Sequence, residues 1–169
     1  DSGPVEIHPP EKAGDKRGAK LVYANGVTVT HVNGFGVHFF GSEGEVQVNR
    51  GKFTFTRNGE RISYFTKRED GSSCEAQVVM AERAFLKDAK TKLYASKGHI
   101  PDFLGCVKSR QKPITNEIVG GRTAICCHLM NQAYYNNAKI LWDPAKLALR
   151  DRSGDPAWLT RDYRAPWRV

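Results

Sequence analysis

The chain has 169 residues, 40% of them apolar, enough for one compact domain with a substantial core. Its net charge of +8 and pI near 9.4 come from 26 Lys and Arg scattered among 18 Asp and Glu, and no block of five like charges occurs. That distribution argues against a dedicated nucleic-acid binder, and no apolar run approaches the roughly 20 residues of a membrane helix, so neither nucleic acid nor membrane is an expected partner.

Residues 1–18, beginning "DSGPVEIHPP", are polar and proline-rich and read as an extended leader. They carry no signal-peptide core, which leaves the compartment open between cytoplasm and periplasm. From residue 19 the pattern alternates with period 2. "AKLVYA" and "VTVTHV" flank Asn25-Gly26, a strong hairpin signal, and "NGFG" at 33–36 turns the chain again into "VHFF".

The next stretch, "FFGSEGEVQVNRGKF", holds three glycines that could wrap a phosphate or turn a chain. A phosphate cradle needs a helix N-terminus behind the glycines. Here "EVQVN" and "KFTFTR" follow, both strand-like, so these are hairpin glycines. Asn58-Gly59 leads into "ERISYFTK", and about six antiparallel strands are predicted between residues 19 and 67.

The second half reads as helical. "CEAQVVMAERAFLKDAK" is a helix or a strand entering one. In "HIPDFLGCVKSRQKP", Ile100, Phe103, Leu104 and Val107 form a stripe at helical spacing, with Pro101 suited to the first turn and Pro113 marking the stop. In the segment after Asn116, Ile118, Ile125, Leu129 and Ala133 share a face that Cys126 and Met130 widen. Asn116 is a candidate cap, with the helix proper starting near Gly120 or Gly121. "ILWDPAKLAL" returns to a strand and a Pro turn, and residues 151–169 form an aromatic tail expected to lie along a surface.

Strands followed by helices predict an α+β fold: an open, mainly antiparallel sheet of about six strands over residues 19–150, with helices on one face. The opposite face, partly apolar, predicts a partner surface. The four cysteines contain no C-x-x-C pair, and adjacent Cys126 and Cys127 diverge on a helix, so buried thiols are expected and neither a zinc site nor a disulfide framework.

"GPVEIHPP", "YANGVTVTH", "GVHFFGSEGEVQVNRG", "HIPDFLGCVKSRQKP", "GGRTAICCHLMNQAYYN", "ILWDPAKL" and "RAPWRV", in that order, together resemble the C-terminal domain of the Gfo/Idh/MocA oxidoreductases, in a bacterial subgroup abundant in planctomycetes. The resemblance implies a two-domain parent. An N-terminal Rossmann domain, expected upstream of Asp1, binds NAD or NADP. The C-terminal sheet covers a sugar, cyclitol or similar polyol and makes homo-oligomer contacts through its open face. Some relatives use transient NAD-dependent oxidation to cleave glycosides, and a free-standing binding module is the non-catalytic alternative.

The family's glutamate-lysine-proline motif is absent, since Glu11-Lys12 is followed by Ala13 in the leader, and no G-x-G-x-x-G sits between a strand and a helix. No catalytic, cofactor-binding or metal residue is therefore assigned within the chain. The substrate-binding candidates are His31, Arg122 and Tyr134. His31 ends an alternating strand and either faces substrate or bonds backbone or water. Arg122 follows two glycines near a helix start, where the dipole disfavours it, which hints at an acidic partner. Tyr134, beside Tyr135 and two asparagines, either meets a sugar hydroxyl or plugs an interface. His128 reads as a core or interface histidine, and Trp158 and Trp167 as anchors of the tail.

Overall fold

A computed structural model describes residues 2–34, 36–92, 94–96 and 98–167. In chain order the elements are β1 (Glu6–His8), β2 (Lys20–Val22), β3 (Thr28–Thr30), β4 (Val37–Phe40), β5 (Gly44–Asn49), β6 (Lys52–Arg57), β7 (Glu60–Phe65), α1 (Cys74–Phe85), α2 (His99–Ser109), α3 (Glu117–Asn136), β8 (Ile140–Asp143) and β9 (Ala148–Leu149), with short 3-10 turns at Arg68–Asp70 and Pro156–Leu159. The fold is α+β with open antiparallel sheets. Six strands lie between residues 20 and 65, but they divide between two sheets, and the chain forms two compact units: residues 1–32 with 96–169, and residues 33–95.

The larger unit carries a five-stranded sheet in the order β3-β2-β1-β8-β9. Its middle strand is β1, from the segment whose sequence reads as a leader. The register explains this. Ile7 stands opposite both Leu21 and Ile140, so one row of apolar side chains crosses three strands. Trp142 lies two residues further along the same face. Helix α3 packs Leu129 and Ala133 onto that row, with Ile125, Cys126, Met130 and Trp158 partly buried around it. Alternation carries Glu6 and His8 to the other face. There Glu6 bonds Lys139 at 2.8 Å and His8 at 2.9 Å, and these two partners, Lys139 foremost, hold its carboxyl below the usual glutamate range.

Helix α3 starts at Glu117, earlier than its glycines suggest. The Asn116 side chain accepts from the backbone N–H groups of Ile118 and Val119, which fixes the start upstream of Gly120. The helix ends at Asn137, which adopts φ 45°. Its first turns are not packed, and Ile118 stays exposed. In the tail, Trp158 packs on the core and Gln132 donates to its carbonyl at 3.2 Å, whereas Trp167 is exposed.

The smaller unit is a meander, β4-β5-β6-β7. Arg50-Gly51 and Asn58-Gly59 form two-residue loops, and positive φ at both Asn58 (50°) and Gly59 (82°) makes the second a primed hairpin turn that matches strand twist. Gly44 has a different reason to be glycine: a Cβ there would collide with the Thr56 carbonyl across the ladder. These glycines thus stand in strand-to-strand turns or, at Gly44, at a close strand contact.

Cross-strand register places Val37, Phe39, Val46, Val48, Phe53, Phe55, Ser63 and Phe65 on one face. Helix α1 runs the full length from Cys74 with no strand before it, because Ser73 caps it by accepting from Ala76 N–H. It covers the β6 and β7 end of the apolar face. The buried Ser63 hydroxyl lies 2.9 Å from the Gln77 carbonyl, and Phe85 meets Phe55 edge to face. Over β4 and β5 the same face leaves Val37, Phe39 and Val48 exposed, with Val46 half-buried.

Candidate functional site

The structure brings two of the three substrate-binding candidates into contact. His31 follows β3 and Tyr134 lies in the last turn of α3, 103 residues away, yet His31 Nδ1 is 2.9 Å from the Tyr134 hydroxyl. Their rings meet edge to face at 5.8 Å. The backbone fixes both. Ala19, fully buried, donates its N–H to the Tyr134 oxygen at 3.1 Å and accepts the His31 N–H at 2.9 Å, while Gly18 N–H donates to the His31 carbonyl at 2.8 Å. The three-residue loop after Tyr23, closed by Gly26 at φ 86°, returns the chain so that residue 31 falls beside residue 19.

Tyr134 oxygen accepts from Ala19; where its own proton goes to His31 Nδ1, the neutral imidazole carries its proton on Nε2. The pair therefore offers one pre-oriented ring nitrogen, Nε2, backed by a phenol. Both residues are half-buried. Such a pair can orient a hydroxyl-bearing ligand. It contains no nucleophile and no second acid.

Arg122 does not join it. It stands twelve residues before Tyr134 on α3, about 18 Å along the axis. Its surroundings are a small cleft lined by Gly3, Ile125, Trp142, Pro144 and Leu147. The sequence's helical spacing already separates the two residues. It does not place His31 beside either, since that contact depends on tertiary packing.

His128 is exposed and belongs to no core. The cysteines are less buried than their sequence context predicts: Cys74, Cys106 and Cys126 are half-buried, Cys127 is exposed, and none is in a disulfide. Among the described residues no group of His, Cys, Asp and Glu could hold a metal ion, and no described helix is long and apolar enough to cross a membrane.

One feature the sequence does not signal is Tyr23. Its hydroxyl lies 3.7 Å from Cys126 Sγ under α3. Burial first, and the thiol contact second, push its pKa up to about 12. A phenol that holds its proton more tightly folded than unfolded supports the fold fully below its ordinary pKa near 10 and loses that support as pH rises toward 12. The expected result is a fall in melting temperature between those values that Tyr23→Phe flattens, read by thermal denaturation across alkaline pH.

Among the described residues, Gly98 caps α2 without a side-chain bond. Gly26, Gly51 and Gly59 stand in strand-to-strand turns, and the N-termini of α1 and α3 are closed by their own Ser73 and Asn116 side chains. No family model, curated protein or solved structure matches the chain.

Proposed function

We propose that this chain is the substrate-side and oligomerisation domain of an NAD(P)-dependent oxidoreductase of the Gfo/Idh/MocA type, acting on a sugar, cyclitol or similar polyol. The nicotinamide cofactor, bound outside these residues by a Rossmann domain, supplies the hydride chemistry. The observation that carries the reading is the His31–Tyr134 contact, which joins two residues picked out by sequence as polyol ligands. A polyol presents hydroxyls that both donate and accept, and a ring nitrogen held by a part-buried hydrogen-bond chain meets one of them without having to order itself first.

The same reading assigns a role to the sheet face that turns away from α1. It carries His38, Phe40, Glu45, Gln47, Thr54 and Tyr64. His38 bonds Glu45 at 3.0 Å and stacks on Phe40 at 3.8 Å, and the Arg61 guanidinium lies over Tyr64. This mixed aromatic and polar face suits contact with a second copy of the chain.

Calorimetric titration of the chain with a panel of polyols and cyclitols tests the site. Saturable binding is expected, weakened about tenfold by Tyr134→Phe, as loss of one hydrogen bond to a fixed ring predicts. The same substitution is expected to cost about 1 kcal/mol of stability, since Ala19 N–H loses its acceptor. Absence of binding across the panel, or equal binding by Tyr134→Phe, overturns the reading.

A further inference from the structure

The chain exposes 13486 Å2 of surface. Two separate compact bodies of these sizes would expose about 10,000 Å2, so even without regard to their arrangement roughly 3,500 Å2 stands in excess. A standard interface covers about 800 Å2 on each partner. The smaller unit offers an edge for such a contact.

Strand β4 is the edge of its sheet, and among the described residues no strand pairs its outer side. All four of its residues, Val37, His38, Phe39 and Phe40, are exposed, three of them by more than half. The strand is short, four residues, but carries no proline, no lysine and no inward charge, and its pairing with β5 has no bulge.

Hydrogen-bond phase says which groups are free. Gly41 N–H donates to the Gly44 carbonyl at 2.8 Å, so by alternation Phe39 and Val37 use their backbone groups toward β5, while His38 and Phe40 direct theirs outward. That phase is self-complementary. Placing Phe39 on a two-fold axis opposite its own copy sets His38 opposite the second copy's Phe40, and the reverse, so both outward-facing residues exchange N–H and carbonyl bonds across the axis. Phe39 then occupies the close, non-bonded position where two aromatic rings meet. No like charges face each other in this register.

We propose that two copies of this chain associate through β4, antiparallel about a two-fold axis, forming a continuous eight-stranded sheet. The contact is isologous and closes at a dimer. The backbone bonds set the register, and Val37, Phe39 and Phe40 supply the apolar area. This edge contact is distinct from the face contact proposed above, and either can exist without the other.

Analytical ultracentrifugation of the full chain across micromolar concentrations tests it. The wild type is expected to show reversible self-association in which the edge step gives a dimer, with larger species where the face contact proposed above also forms. Phe40→Pro and His38→Pro each remove one outward N–H and leave the β4–β5 bonds intact, and each is expected to weaken dimerisation at least about tenfold with the circular dichroism spectrum unchanged. Tyr64→Ala, on the sheet face, is expected to leave edge dimerisation in place. Amide hydrogen exchange gives an independent reading on the unmutated chain: His38 and Phe40 amides should gain protection with concentration, while the Phe39 amide is protected throughout. A monomeric wild type, dimers that survive both proline variants, dimers abolished by Tyr64→Ala alone, or protection of His38 and Phe40 that does not depend on concentration would each overturn the proposal.

Discussion

Ile7→Ala is expected to lower the unfolding free energy by about 2–5 kcal/mol, the range for truncating a fully buried aliphatic side chain. Ile7 is completely buried, in the middle strand of five, and touches the apolar row from both sides, opposite Leu21 and Ile140. Neighbours on two strands and a helix above leave little freedom to collapse into the vacated space, which places the expected value in the upper half of the range. Denaturant unfolding followed by tryptophan fluorescence measures it. The result distinguishes two views of residues 1–18. If the segment is a surface leader, the change is within about 0.5 kcal/mol, as at ordinary surface positions. If β1 holds the sheet together, as the register shows, the variant is among the most destabilised single substitutions in the chain. Glu6→Ala is the control: it sits on the opposite face in partly exposed ion pairs, where losses stay within about 1 kcal/mol.

Trp142→Ala is expected to cost about 3–5 kcal/mol. The indole is only 4% exposed and shares the cluster with Leu129, Ala133 and Ile140. It also lies beside the cleft that holds Arg122. Truncation therefore removes packing between β8 and α3 and opens the helix's middle turns to water. The measurement is again chemical denaturation, with near-ultraviolet circular dichroism reporting whether the remaining tryptophans keep a fixed environment. Trp142→Phe retains most of the buried area and is expected to recover more than half of the loss. Trp167→Ala, at an exposed ring, is expected to change stability by less than about 0.5 kcal/mol.

These two substitutions fall on opposite sides of what a sequence can reveal. Trp142 stands in "ILWDP", an apolar strand signal followed by a proline turn, and β8 spans Ile140–Asp143 with its turn where the pattern puts it. Ile7 stands in "VEIHPP", too short to show alternation and followed by two prolines, so local pattern reads only an extended chain. Its burial is set by pairing with residues 21 and 140, which are remote in sequence. The candidate site divides in the same way. That His31 and Tyr134 are chemically able to bind a hydroxyl follows from their side chains. That they sit 2.9 Å apart follows from a hairpin, a buried Ala19 and the packing of the last turn of α3.

The stripe on α2 marks the limit of periodicity. Ile100, Phe103, Leu104 and Val107 recur at helical spacing, and the helix spans His99–Ser109, yet all four side chains are exposed, Ile100 by 64%. An amphipathic pattern specifies that a face is apolar. It carries no information about which surface covers it.

By itself the sequence determined the Asn-Gly hairpin loops, the second and third helices, the α+β class and the alternating faces of β5 and β6, because each depends on neighbours within a few residues: glycine at positive φ, side-chain capping, and periods of 2 and 3.6. Only the tertiary structure decided that the strands form two sheets, that β1 is the centre of one, that Cys127 and His128 face outward, and that His31 meets Tyr134. Those outcomes depend on which apolar row finds which partner, and the free energy that selects the pairing comes from burial shared among residues far apart in the chain.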